Sequence, residues 1–288
     1  MSDELRPRRS VLYMPAANAR ALEKAKDIAC DAIIFDLEDA VAPDSKPLAR
    51  EQAVAAATSG DYGSRELTIR CNGQATPWGA DDLAAAGAAG PSAVVIPKVD
   101  STSSLDAVAA GLDAAGAART SIWAMVETPT AILDVRQIAA HPRVNVLVMG
   151  TNDLAKEIRA PLIPGRGNLT SYLALAVLAA REAGKVILDG VYNDVRDADG
   201  FALECRQGVE MGFDGKTLVH PSQVEPANEA WSPSAEEIEF ARRVIEAYAE
   251  AEAAGRGVVT VDGKMIEHLH VANARAALAT ADAISDLS

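Results

Sequence analysis

The sequence has little of what soft-metal or redox chemistry needs: three cysteines and four histidines in 288 residues. Cys30, Cys71 and Cys205 are far apart, odd in number and form no C-x-x-C pair. That excludes a zinc ribbon and a disulfide scaffold, and it fits reduced thiols in a cytoplasmic protein. No apolar run approaches the roughly 18 residues of a membrane span, and residues 1–9 lack the apolar core of a signal peptide. No G-x-S-x-G is present, which disfavours a serine hydrolase. No G-x-G-x-x-G follows a strand and no P-loop occurs, so nucleotide cofactors of those kinds are unsupported. Positive charge is also scarce. Lys and Arg number 27 against 41 Asp and Glu, a formal charge of −14. Such a chain is a poor partner for nucleic acid or an anionic membrane surface, although a local basic pocket remains compatible with it.

What is present is an ordinary globular composition, 49% hydrophobic and 24% charged, which excludes a disordered chain. Short β-branched runs alternate with Ala-rich amphipathic stretches. The pattern predicts eight strands, at residues 10–15, 32–37, 67–71, 93–98, 122–127, 144–149, 186–189 and 215–219. Most are continuous apolar runs, as expected of strands buried on both faces. Helices are predicted at residues 20–30, 48–58, 81–88, 104–115, 131–140, 172–183 and 202–211. A doubly wound sheet also alternates in this way, but eight β-then-α units favour a closed (β/α)₈ barrel, an α/β TIM barrel. The barrel is expected to occupy residues 1–230. Trp231-Ser232-Pro233 breaks the pattern and opens a C-terminal helical extension, residues 231–288. There Ser234 and Glu237 form a capping box ahead of a helix carrying Ile238, Ala241, Val244, Ile245 and Tyr248 on one face. Asp262-Gly263 signals a type I′ hairpin turn, and a last helix covers about residues 268–282. So small a tail is expected to pack on the barrel or on a neighbouring subunit.

In such a barrel the chemistry lies at the C-terminal ends of the strands. Glu127 and Asp153 follow the fifth and sixth strands, both apolar. Without a Cys or His cluster beside them, two carboxylates are hard oxygen ligands suited to Mg²⁺, with water and substrate completing the shell. The plain alternative for Asp153 is a helix N-cap. Arg70 ends the third strand. It can bind a substrate carboxylate or a developing oxyanion, or simply pair with Asp36 or Glu38. Asp36, Glu38 and Asp39 form an acidic cluster in which alternation puts Asp36 and Glu38 on one face, so all three are not expected to point inward. Asp36 and Glu38 are expected to orient Arg70 and metal-bound waters. Asp262 reads as a turn residue, His220 as structural or ligand-contacting, His268 and His270 as solvated, and Cys71 as core.

Arg9-Ser10-Val11-Leu12-Tyr13-Met14-Pro15, Asp36-Leu37-Glu38-Asp39-Ala40-Val41, Ile69-Arg70-Cys71-Asn72-Gly73, Ile96-Pro97-Lys98, Glu127-Thr128 and Gly215-Lys216 leading to His220-Pro221 together carry a resemblance. With Val261-Asp262-Gly263-Lys264-Met265, the chain resembles the citrate lyase β-subunit-like branch of the HpcH/HpaI aldolase superfamily, which includes malyl-CoA lyases. Within the branch, residues 149–157 and 189–193 are most similar to the (3S)-malyl-CoA thioesterase subgroup. The resemblance implies Mg²⁺ (Mn²⁺ as the alternative) on Glu127 and Asp153, with Arg70 binding substrate. It implies a coenzyme A site near Tyr13, Arg20 and Lys24, although Pro15-Ala16-Ala17 stands where the family often has Pro-Gly. It raises Asp262 to the catalytic acid/base, delivered by the lid of an adjacent subunit in a homotrimer or dimer of trimers. The implied activity is hydrolysis of malyl-CoA to malate and coenzyme A. The alternatives are cleavage of malyl-CoA or β-methylmalyl-CoA to glyoxylate and acetyl- or propionyl-CoA, action on an acyl-carrier-protein thioester, and a non-catalytic CoA-ester-binding regulator.

Overall fold

Eight parallel strands close into a barrel in the computed structural model, which describes residues 6–287. The reading of residues 1–9 therefore lies mostly outside the described residues. The strands are β1 (Ser10–Pro15), β2 (Ala32–Asp36), β3 (Glu66–Arg70), β4 (Ala93–Ile96), β5 (Ser121–Val126), β6 (Val144–Met149), β7 (Val186–Asp189) and β8 (Gly215–Leu218). Pairing follows chain order, and Val11 facing Thr217 closes the ring. Residues two apart on successive strands fill the interior: Val11, Ala32 and Ile34, Ala93 and Val95, Trp123 and Met125, Val146 and Val148, then Leu188. The barrel axis is thus a packed apolar core, and polar groups emerge at its ends.

The outer helices are α1 (Ala19–Ala25), α2 (Lys46–Thr58), α3 (Gly79–Ala89), α4 (Thr102–Ala114), α5 (Pro129–Leu133), α6 (Val135–Ala140), α7 (Thr151–Glu157), α8 (Thr170–Glu182), α9 (Ala198–Met211) and α10 (Val224–Ala230). The predicted fold class and strand count hold, while several boundaries move. Strands two to five and eight stop one or two residues earlier than predicted, so Leu37, Cys71, Lys98, Glu127 and Val219 lie just beyond strand ends. The helix predicted at residues 20–30 ends at Ala25, because the Ile28 carbonyl accepts a hydrogen bond from Arg65 (2.6 Å) and the chain turns into β2. The stretch predicted as one helix at residues 131–140 is two, separated at Asp134, whose backbone leaves the helical region at φ −104°, ψ 9°. The pattern missed α7 and α10, each seven residues long and too short to show a periodic stripe.

Residues 8–230 form one compact unit, and residues from 231 onward form another together with Arg6 and Pro7. The second unit holds α11 (Ala235–Ala253), β9 (Val259–Val261), β10 (Lys264–Ile266) and α12 (His268–Leu287). Ser234 and Glu237 make the capping box. Asp262 and Gly263 both have positive φ (50° and 76°), the backbone a type I′ turn requires. Ala241, Val244, Val261, Ile266, Val271 and Ala274 give this unit an apolar core of its own. His268 is exposed as expected, but His270 is half-buried, its Nδ1 accepting the Glu267 amide at 3.0 Å.

One ion network braces the barrel wall. Asp189, at the end of β7, accepts both Arg166 Nη1 and Nη2 and also Lys216 Nζ (2.9 Å), while Glu204 takes Lys216 from the other side at 2.7 Å. Asp189 and Lys216 are fully buried. Although burial alone would raise it, Lys216 and Arg166 hold the Asp189 carboxyl below its usual range. Its folded value is depressed, so its stabilisation is complete above the ordinary Asp value of about 3.9 and is lost as pH falls below that. Asp189→Asn leaves two cations short of a partner and is expected to cost about 3–5 kcal/mol in urea denaturation. It should also flatten the acid limb of stability below about pH 4. Wild-type stability at every pH would remove the network from the list of structural supports.

Candidate active site at the barrel mouth

The C-terminal ends of the strands open on a cavity of about 330 Å³. Tyr13, Asp36, Asp39, Arg70, Glu127, Asn152, Asp153 and Asn193 line it. On one side stands Arg70, 7% exposed at the end of β3. Sheet register places it beside Asp36, and the two meet as a fork: Nε donates to Oδ1 at 2.7 Å and Nη2 to Oδ2 at 2.6 Å. Nη1 faces Glu38 Oε2 at 3.0 Å and Asp39 Oδ2 at 3.1 Å. The guanidinium also lies over the Tyr13 ring, 4.8 Å from its centroid. Burial raises the Tyr13 phenol above its ordinary value, so it is a neutral hydroxyl at any physiological pH.

All three acids of the cluster thus converge on Arg70. Asp36 and Asp39 line the cavity and Glu38 does not, so the three do not all face inward, but the acid that shares the mouth with Asp36 is Asp39 and not the expected Glu38. Strand alternation ends with β2 at Asp36, and the next residues turn freely. Lys46 holds that turn: its Nζ donates to the Leu37 and Glu38 carbonyls at 2.8 and 2.7 Å. Burial pushes the Glu38 carboxyl up to about 8, against the pull of Arg70.

Glu127 follows β5 and is 2% exposed. Its Oε1 accepts the backbone N–H of Lys98 at 2.7 Å, and Lys98 adopts a left-handed φ of 50° to aim it. Burial, with repulsion from Asp153, pushes the Glu127 carboxyl up to about 7 despite that bond. Gly150 makes room for the group, since a Cβ there would collide with the Glu127 Cβ and Oε2. Asp153 is half-buried in the first turn of α7. The helix N-cap is Gly150, so Asp153 is not the cap. Among the described residues nothing donates a hydrogen bond to its carboxylate, which is left open to the cavity.

Of the residues predicted for substrate, Tyr13, Arg70 and Glu127 come together here. Arg20 and Lys24 lie on the exposed face of α1 and do not line the cavity. Asp262 belongs to the C-terminal unit, exposed at the hairpin turn, with Arg243 Nη2 2.9 Å from its Oδ2. Cys71 is buried core, and His220 Nδ1 accepts the Ser222 amide at the start of a short turn. Three contributors were not singled out as site residues: Lys46, the Lys98 amide, and the Asn152–Asn193 pair. The amide of a left-handed Lys leaves no mark in a sequence.

No group of three or more His, Cys, Asp or Glu among the described residues forms a closed metal cage. The donor set fits a hard divalent ion nonetheless. Mg²⁺ is commonly held by one or two carboxylates with water and substrate oxygens. Glu127 keeps one oxygen free of protein donors, Asp153 keeps both, and the two repel each other without a cation between them.

A family model described as HpcH/HpaI aldolase/citrate lyase matches residues 9–221. The chain belongs to this family. Family membership extends to whole-length relatives. A (3S)-malyl-CoA thioesterase of Cereibacter sphaeroides is 50% identical, across 99% of this chain and 98% of its own. Citrate lyase subunit beta of Escherichia coli is 32% identical across 96% and 94%. Among solved structures, CitE of Mycobacterium tuberculosis in complex with magnesium, acetoacetate and coenzyme A superposes with a TM-score of 0.79 at 28% identity, covering 96% of this chain and all of that one. No helix of the described residues is long and apolar enough to cross a membrane.

Two measurements test the site. A metal bound by Glu127 displaces the proton that its raised value retains near neutrality, so Mg²⁺ affinity is expected to climb from pH 6 to pH 8 with proton release. Calorimetry in buffers of different ionisation heat reads this, and a flat profile would exclude Glu127 as ligand. Gly150→Ala crowds the same carboxylate and is expected to weaken Mg²⁺ binding by about tenfold or more.

Proposed function

We propose that the barrel mouth binds (3S)-malyl-CoA with Mg²⁺ and hydrolyses the thioester to malate and coenzyme A. One observation carries the reading. Glu127 and Asp153 share a cavity with Arg70 in a chain half identical, over almost all its length, to thioesterases named for that substrate. A divalent ion held by the two carboxylates (Mg²⁺, with Mn²⁺ as the alternative) supplies Lewis-acid polarisation of substrate oxygens. Arg70 binds a substrate carboxylate or the developing oxyanion through Nη1. Asp36 keeps the fork. The yielding partner is Asp39, whose side chain is 69% exposed. Tyr13 packs against the guanidinium at the cavity wall. Asp262 moves the proton as general acid/base, contributed by a neighbouring subunit of a homotrimer or dimer of trimers. Arg20 and Lys24, exposed cations on α1, the helix after β1, are assigned to the phosphates of coenzyme A. The three buried, unpaired thiols accord with a cytoplasmic setting.

A second reading, C–C cleavage to glyoxylate and acetyl-CoA, is favoured by the citrate lyase relatives and needs the same residues. A product assay on (3S)-malyl-CoA with Mg²⁺ separates the two. Free coenzyme A without glyoxylate is the expected result, and glyoxylate with acetyl-CoA would replace hydrolysis with cleavage. If neither product forms with or without the ion, the thioester of another acyl group or of a carrier protein takes precedence. Glu127→Ala and Asp153→Ala are expected to abolish both turnover and Mg²⁺ binding. Asp262→Asn should retain substrate affinity and lose at least about 100-fold in rate. Verified mixed oligomers of Asp262→Asn and Glu127→Ala chains should regain part of the activity, and no recovery would place Asp262 in its own chain's site.

A further inference from the structure

Asp153 reaches the mouth without a hydrogen bond or ion pair of its own, so its position is that of α7. This helix has only seven residues, and Gly150 at its start offers no side chain to cap it. Thr151, Leu154 and Ala155 anchor its inner face by burial. Its outer edge is held by one polar feature. Asn152 Nδ2 donates to Asn193 Oδ1 at 3.1 Å, and Asn193 Nδ2 donates back to Asn152 Oδ1 at 2.8 Å. Among the described residues no other side-chain hydrogen bond joins α7 to another segment. Two carboxamides bonded in both directions hold only when their planes and separation are both correct, so the pair fixes orientation as well as distance.

The far side of the pair is itself anchored. Asn193 follows Tyr192, whose carbonyl accepts Nε2 of Gln223 at 2.9 Å. Gln223 is 3% exposed, and its Oε1 accepts the backbone amides of Val219 and His220, just beyond β8, at 3.0 and 3.2 Å. The Tyr192 phenol donates to Asp197 at 2.6 Å, and Asp197 caps α9 through the Gly200 amide. The segment after β7 is therefore a frame tied to β8 and α9, and Asn193 projects from it toward α7.

We propose that the Asn152–Asn193 pair is a positioning strap for Asp153, fixing the first turn of α7 to the frame after β7 and so setting where the carboxylate stands. The proposal rests on Asp153 being a metal ligand. Neither asparagine has to touch the ion or the substrate. Both side chains are exposed, so truncating either leaves the core intact.

Mn²⁺ titration of the full chain tests this, read by calorimetry beside thermal melting. Asn152→Ala and Asn193→Ala are each expected to raise the Mn²⁺ dissociation constant about tenfold with the melting temperature unchanged. The double variant should lose no more than either single one, because the pair acts as a unit. Wild-type affinity in the single variants would overturn the strap. So would a double variant whose loss equals the product of the two singles, since the residues would then act separately. A wild-type chain that binds no Mn²⁺ at all would instead remove the metal reading on which the strap rests, a result distinct from both.

Discussion

One buried guanidinium organises the mouth of this barrel. The register of β2 and β3 makes Asp36 and Arg70 neighbours on the last rung of the sheet, so their fork follows from strand pairing. Burying two charges so close to a packed apolar core is costly unless geometry and further hydrogen bonds satisfy them. The structure meets that demand on every side. Asp36 also accepts the Glu38 and Ala40 amides, Tyr13 covers a face of the guanidinium, and Glu38 and Asp39 take its remaining arm.

The consequence is a lopsided charge balance. Arg70 is committed to the acids of the β2 turn, and little positive charge is left for Glu127 and Asp153. They line one cavity, Glu127 buried and Asp153 half-buried, repelling each other, with a backbone amide as the donor to one of them. A site built this way fits a compact cation. The oxygen-only donor set, with no thiol or imidazole cluster among the described residues, suits a hard ion better than a soft one.

Much of this was legible in the sequence because barrels sort residues by position. An apolar run followed at once by Glu127, or by Gly-Thr-Asn-Asp, marks a strand end with a carboxylate, and eight such runs imply a closed ring. Arg70 was legible for the same reason. What escaped is what depends on backbone beyond the strand. Asp39 could not be placed because alternation stops with the ladder, and Lys46 because its partners are carbonyls nine and eight residues back in the chain. Asn152 and Asn193 are 41 residues apart, and nothing local to either announces the other. Asp262 gave the opposite difficulty. The turn explained the residue completely, and only family likeness lent it a chemical role.

That turn has a further meaning. Its first position is left-handed, a conformation open to Asn, Asp and Gly at little strain and to few other residues. Asn-Gly and Asp-Gly are interchangeable as type I′ turns, yet they differ by an ionisable oxygen, and their codons differ by one base. A hairpin of this kind can gain or shed an acid in a single mutational step without refolding. The acid–base role proposed for Asp262 would therefore be separable in evolution from the shape of its hairpin, which keeps the same backbone with or without the acid.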